Sequence, residues 1–208
     1  MKKVLILCNG NPPSEQLFYQ SRANAEYFIA ADGGGNIARD FGVQPNIVIG
    51  DLDSFEKFEE DTYEIVFDPD QESNDLEKAL HHAVDIRATH VHILGGTGQR
   101  LDHTLKNLSV LKQFNNYFEE LLLKDDFGDT RLIGKSFQEE IAIGTQVSLF
   151  PLSGKVSGVT TKGLKYSLKN ETLENGIRDG SSNEVIENPI EINYKHGDLL
   201  FFLAQKSQ

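Results

Sequence analysis

Short apolar runs alternate with helix-period segments through the first part of the chain. Runs of strand length lie at 4–8, 27–31, 47–49, 63–67, 90–94 and 121–124. Between them, Ser14 after Pro12-Pro13 can cap a helix over 14–25, and Gly42 stops a short one over 36–41. Leu76, Ala79, Leu80 and Ala83 at i, i+3, i+4, i+7 predict a helix over 75–85, with Ser73 or Asn74 as its cap. Leu101, Leu105, Leu108 and Leu111 predict one apolar face on a helix over 101–118. Such alternation predicts a parallel sheet with helices on both faces. Beyond about residue 128 the helical period disappears. Runs rich in β-branched and aromatic residues follow at 146–150, 155–161, 184–186, 190–194 and 199–203, punctuated by glycines. The fold class is therefore α/β: a parallel-sheet α/β/α domain over 1–128, then a small antiparallel β-sandwich or barrel over 129–208.

Polar residues follow the apolar runs in a repeated way. Asp32 follows one run, Asp51 and Asp53 another, Asp68 and Asp70 another, and Asp125 and Asp126 the last. Gly95-Gly96-Thr97-Gly98 follows the run at 90–94. Parallel strands bring all these segments to one carboxyl edge, where open α/β sheets bind ligands. Gathered carboxylates repel and need a cation, and hard divalent ions take oxygen ligands. A Mg²⁺ site for a phosphorylated ligand is the expectation. In Gly50-Asp51-Leu52-Asp53-Ser54, carboxylates at i and i+2 point the same way if the segment is extended. Asp32-Gly33-Gly34-Gly35-Asn36 opens a helix, whose amino terminus favours anions. Gly96, Thr97 and Gly98 expose backbone N–H groups, and Arg100 offers a fork for phosphate. No Lys-Ser/Thr follows the last glycine, so neither a Walker A loop nor a Rossmann fingerprint is present.

Composition narrows the class. A formal net charge of −12 over 208 residues argues against a nucleic-acid partner, which needs basic patches. The single cysteine, Cys8, makes no internal disulfide and reads as a small buried hydrophobe. The apolar run after Lys2-Lys3 is too short for a signal peptide, and no run has the length of a membrane span. A cytoplasmic location is expected. The six histidines lack cysteine partners and the His-Glu-x-x-His pattern, so zinc is not expected; His103, beside Asp102, is the one nearest the expected site.

Four motifs in order resemble the thiamine pyrophosphokinase family: Ala31-Asp32-Gly33-Gly34, Gly50-Asp51-Leu52-Asp53-Ser54, Asp70-Gln71 through Asn74-Asp75, and Gly95 through His103. Gly163-Leu164-Lys165-Tyr166, Leu173, Gly176 and Ser181-Ser182-Asn183-Glu184 extend the likeness toward the carboxyl terminus. The resemblance implies an α/β catalytic domain followed by a β-rich thiamine-binding domain. It implies transfer of a pyrophosphoryl group from ATP to the thiamine hydroxyl with Mg²⁺, giving thiamine diphosphate and AMP. It implies a homodimer with thiamine bound where subunits meet. By position, Asp51, Asp53 and Asp75 would hold the metal and, with Arg100, form the catalytic set. Gln71, Asp102, Ser182 and Asn183 would face thiamine. Asp32, Gly33, Gly34, Asn36, Gly96, Thr97, Gly98 and Arg100 would bind ATP and its phosphates. Asn74 stands where the family usually has Thr, and Ile177-Arg178-Asp179-Gly180 holds no aromatic to stack on thiamine. Competing readings are a metal-dependent phosphohydrolase or nucleotide-sugar transferase using Asp51-Leu52-Asp53, and a thiamine-binding protein without transfer activity.

Overall fold

Strands β1 (Lys3–Leu7), β2 (Tyr27–Ala31), β3 (Ile47–Gly50) and β4 (Glu64–Phe67) are joined by α1 (Glu15–Ala23), α2 (Gly34–Asp40) and an irregular loop. After β4 come α3 (Asp75–Asp85), β5 (His90–Leu94), α4 (Leu101–Phe114), a 3-10 turn (Asn115–Tyr117) and β6 (Glu120–Asp125). These elements make up the first of two units, Met1–Asp126, in the computed structural model, which describes residues 1–205. Their strands run in the order β6-β5-β1-β2-β3-β4 with every neighbouring pair parallel. Both faces of the sheet are covered, which is why most of its strands read as apolar runs, the half-buried His90 and His92 of β5 being exceptions. Along β1, Val4 and Ile6 face one core with Leu76, Leu80, Val110 and Phe114 of α3 and α4. Leu5 and Leu7 face the other, with Leu17 and Phe18 of α1 and Ile37 of α2. The chain builds outward from β1 to β4, then returns through α3 to place β5 on β1's other side. The strand order therefore reverses between β1 and β5, opening a crevice at their carboxyl ends.

The expected leucine face of α4 is only partly buried. Leu101 and Leu105 are exposed, and the buried positions are Asn107, Val110, Leu111 and Phe114. These four have the same i, i+3, i+4, i+7 spacing, but the stripe begins on a polar residue that apolar periodicity cannot select. The helix also ends at Phe114, four residues before the expected 118, and tightens into the 3-10 turn.

The second unit begins at Phe127. It contains β7 (Gly128–Ile133), β8 (Ser136–Glu139), β9 (Gln146–Pro151), β10 (Lys155–Lys162), β11 (Glu171–Glu174), β12 (Gly180–Glu184), β13 (Ile190–Asn193) and β14 (Leu199–Ala204). One antiparallel layer runs β12-β9-β14-β7 and a second runs β11-β10-β13-β8. Val147, Leu149, Leu199 and Phe201 of the first layer share a core with Val156, Val159, Leu173 and Ile192 of the second. This is the sandwich geometry of two half-buried sheets. Strands β7, β8 and β11 were not foreseen. The strand expected at 184–186 lies earlier, where Gly180, Asn183 and Glu184 pair with Leu149, Val147 and Gln146. The last three residues of the expected 129–208 domain lie outside the described residues. No helix among the described residues is long and apolar enough to cross a membrane.

Candidate active site

A cavity of about 440 Å³ opens at the carboxyl ends of the parallel strands, lined in part by Asn9, Asp32, Asp51, Asp75, Thr97 and Asn107. Cys8, Asn9 and Gly10 after β1 and the turn at 95–98 after β5 line it side by side. Three backbone bonds stitch the turns after these strands together: Cys8 N–H to the Leu94 carbonyl at 2.8 Å, Gly10 N–H to Gly95 at 2.7 Å, and Asn11 N–H to Thr97 at 2.8 Å. Gly95 has φ +65°, and a Cβ there would lie 2.4 Å from the Cys8 carbonyl. Only glycine permits both that backbone conformation and that approach.

Asp32, Asp51 and Asp75 each place a carboxylate oxygen within 4.8 Å of the others. They arrive from the ends of β2 and β3 and the start of α3. Gly50 makes the convergence possible, since a Cβ on it would sit 2.9 Å from both Asp32 Cβ and Asp75 Oδ1. Asp32 Oδ2 accepts from Ser54 N–H at 3.3 Å, while Oδ1 is buried with no hydrogen-bond partner. Asp51 accepts from Gln71 Nε2 at 3.2 Å and from Asp53 N–H at 3.3 Å. Asp75 Oδ1 faces the buried Lys78 ammonium at 3.4 Å, which also donates to the Asp68 carbonyl at 2.9 Å. Burial, partly offset by the Gly33 N–H, and the Asp75 charge push the Asp32 carboxyl above its ordinary value. Burial and repulsion from Asp51 raise Asp75 against the pull of Lys78. Gln71, bonded to its carboxylate, holds Asp51 low. An all-oxygen set with mutual repulsion and an orphaned acceptor fits a hard divalent cation.

The remaining expected residues separate into groups. Asp53 lines the same cavity but is outside the three-carboxylate cluster; its Oδ1 accepts from Ser54 Oγ at 2.9 Å. Asp32, expected only on the nucleotide side, takes that third position. Gly33 and Gly34 start α2. Asn36 reaches away to the loop after β3, donating to the Ser54 carbonyl at 2.7 Å and accepting from Glu56 N–H at 3.0 Å. Gly96, Thr97, Gly98 and Arg100 line the cavity, as does His103. Arg100 grips Asp102 with two bonds, at 3.1 and 2.5 Å, and both side chains are exposed. This pairing holds the Asp102 carboxyl below its usual range. In the second unit Ser182 is exposed at φ +56° and its N–H donates to Ser148 Oγ at 3.0 Å. Asn183 is buried, and its carboxamide accepts from Tyr166 N–H at 3.0 Å and donates to the Tyr166 carbonyl at 2.9 Å. It thereby fixes an exposed tyrosine.

Four contributors were missed in the sequence: Gly50, Lys78, Asn107 and the Asn9-Gly10 turn. The signal for the turn was present, since it follows the first strand as Gly95 follows the fifth. Lys78 and Asn107 gave none, because each is a polar residue inside a helix whose burial depends on packing.

A family model described as the thiamin pyrophosphokinase catalytic domain matches residues 18–123. A second, described as the thiamin pyrophosphokinase vitamin B1 binding domain, matches residues 136–199. Thiamin pyrophosphokinase 1 of Caenorhabditis elegans is 29% identical over 202 residues, covering 88% of this chain and 81% of that protein. The crystal structure of thiamine pyrophosphokinase from Bacillus subtilis superposes with a TM-score of 0.83 at 23% identity, over 99% of this chain and 100% of that one. That of yeast thiamin pyrophosphokinase gives 0.86 at 19% identity, over 98% and 86%. At these identities the two structures establish the shared fold alone. The two matched domains follow one another in order along the sequence, and on them the chain belongs to the thiamin pyrophosphokinase family, whose function is ATP-dependent pyrophosphoryl transfer to thiamine.

Proposed function

We propose that this chain transfers a pyrophosphoryl group from ATP to the hydroxyl of thiamine, releasing AMP and thiamine diphosphate, with Mg²⁺ as its metal. The convergence of Asp32, Asp51 and Asp75 on one point beside the glycine-rich turn carries the reading. Those three carboxylates would hold Mg²⁺, with Asp53 at the rim of the same cavity. Bound Mg²⁺ would neutralise charge on the phosphate oxygens, the main demand of phosphoryl transfer. The first unit's own residues supply position. Backbone N–H groups of the turn at 95–98 and the Arg100 fork would cradle and neutralise the transferred group. Gly33 and Gly34 would serve indirectly, since a Cβ on either would strike the Asn9 side chain or the Leu7 carbonyl and keep α2 from starting against the end of β1. Gln71 already orients Asp51, and its carbonyl, with the Asp102 carboxylate, would accept from the aminopyrimidine of thiamine. Ser182 would contact the acceptor directly. Asn183 would act through the Tyr166 segment that it holds.

The proposal includes a homodimer in the cytoplasm, with acceptor groups of the second unit completing a site on the partner subunit. Support for the dimer is the motif likeness. Purified protein with ATP, Mg²⁺ and thiamine should yield AMP and thiamine diphosphate one to one. Release of inorganic phosphate without AMP would point to a phosphohydrolase, and thiamine binding without AMP to a non-catalytic binder. For the shared site, mixing an Asp75→Asn chain with a Ser182/Asn183 double-alanine chain should restore activity that neither has alone. No recovery in mixed dimers would rule out a site built from two subunits.

A further inference from the structure

Asn107 is the polar exception on the buried stripe of α4. Its neighbours on that stripe, Val110, Leu111 and Phe114, are fully apolar and pack into the core. Burying a carboxamide costs free energy unless its hydrogen bonds are made. Here they are made, and both lead to the active cavity. Asn107 Nδ2 donates to the Gly96 carbonyl at 2.8 Å, gripping the glycine-rich turn. Asn107 Oδ1 accepts from Asn74 Nδ2 at 3.0 Å. Asn74 caps α3: its Oδ1 accepts from Glu77 N–H at 3.0 Å, and Glu77 Oε2 accepts from Asn74 N–H at 2.9 Å. Lys106, the residue before Asn107, closes the ring by pairing with Glu77 at 2.8 Å. The residue after the cap is Asp75, one of the three converging carboxylates.

We propose that Asn107 is a positioning residue for phosphoryl transfer, locking the phosphate-facing turn and the metal-facing start of α3 into one register. The inference rests on the pyrophosphokinase reading and adds to it a residue whose side-chain bonds go to the protein and which acts through the groups it holds. The two halves of the site arise from different loops, one after β5 and one before α3. A carboxamide placed between them, donating from its nitrogen to one and accepting at its oxygen from the other, ties their separation to a single rigid group. It also accounts for Asn at position 74, since the amide that reaches Asn107 is one a threonine lacks.

The test uses the full chain and three readouts: melting temperature, MgATP affinity by calorimetry, and steady-state kinetics with thiamine varied. Asn107→Leu fills the space and removes both bonds. Its kcat should fall about a hundredfold, the scale of a 1 Å misplacement, with weaker MgATP binding and an unchanged KM for thiamine. Asn74→Ser keeps a capping oxygen and loses only the bridging amide, so it should show the same split at about tenfold, even if Asn107→Leu fails to fold. Combining the two should cost little more than Asn107→Leu alone, as expected for members of one network. A purely structural role would lower the melting temperature and leave the folded fraction's MgATP affinity intact. Wild-type MgATP affinity and kcat in Asn74→Ser or in folded Asn107→Leu would overturn the inference, as would losses that multiply in the double variant. Absence of AMP formation by the wild type would instead sink the pyrophosphokinase reading, and the MgATP affinities would still decide the role of Asn107.

Discussion

The two units use polar side chains in opposite ways. In the first, helices cover both faces of the parallel sheet, so away from β5 and the strand ends its strands carry few polar residues, and the polar groups collect where strands end. Asp32, Asp51 and the turn at 95–98 occupy such positions, and the cavity is where they meet. In the second, each sheet has a wet face and polar residues run along the strands themselves. Asn183 lies within β12 and spends its carboxamide on the backbone of Tyr166. A polar residue in the first unit is therefore informative by place alone. One in the second unit is informative only once its hydrogen bonds are known. The contrast also divides the labour: substitutions at the three converging carboxylates of the first unit should strike turnover, and those in the second unit should strike acceptor affinity.

The sharpest trial of this division is Asp75→Asn. Turnover should drop about a thousandfold, at the upper end for loss of one preorganised electrostatic group, with no loss of melting temperature because a repelling charge is removed. Activity near wild type at limiting Mg²⁺ would dissolve the distinction. Gly50→Ala comes next. The added methyl must displace Asp32 or Asp75, so kcat should fall about a hundredfold while the fold persists. A crystal structure of the variant with all three carboxylates still converged, and full activity, would contradict that account. Asn183→Ala should raise the KM for thiamine about tenfold, leave the KM for ATP unchanged, and cost about 1–3 kcal/mol from the unpaired Tyr166 backbone groups. Equal effects on both substrates would erase the separation between units.

The smallest effect is a pH dependence. Asp32 and Asp75 titrate above the ordinary aspartate value of 3.8 when no cation is present. The folded protein then holds protons that the unfolded chain has released. Their contribution to stability is complete below 3.8 and is lost as pH rises through the raised values. Asp51, held low by Gln71, contributes in the other sense, and its share is lost only in stronger acid. The rise in melting temperature on adding Mg²⁺ should accordingly be largest at neutrality and shrink on acidification, as protons compete for the same oxygens. Thermal melts with and without Mg²⁺ across this range check it, and Asp75→Asn should flatten the profile.

Much of the first unit was legible because its signals are redundant. The strand at 90–94 alternates two histidines with Val91 and Ile93 and is followed by glycines; the helix at 75–85 has a cap and a period. Both appear at the expected bounds. The leucines of α4 misled because a helix with apolar residues on more than one side can dock in several ways, and Asn107 settled the matter. In the second unit, β7 is mostly polar and β11 is both short and mostly polar, and each becomes a strand through its partner: β7 beside β14, β11 beside β10. Pairing across many residues leaves little trace in a local window. Asp53 shows the limit within a good motif. The Asp-x-Asp spacing placed both acids at the right strand end, but Leu52 has φ +59°, so the segment turns instead of staying extended and only Asp51 of the two joins the three-carboxylate cluster.

Cys8 lines the cavity as well. Burial, with the Asp75 charge beside it, pushes its thiol up to about 12. The sulfur therefore stays protonated across the physiological range and reacts sluggishly with peroxides and alkylating reagents. A sulfhydryl lining the cavity is in this way kept chemically silent by its burial first and, to a lesser degree, by a carboxylate that would recruit the metal.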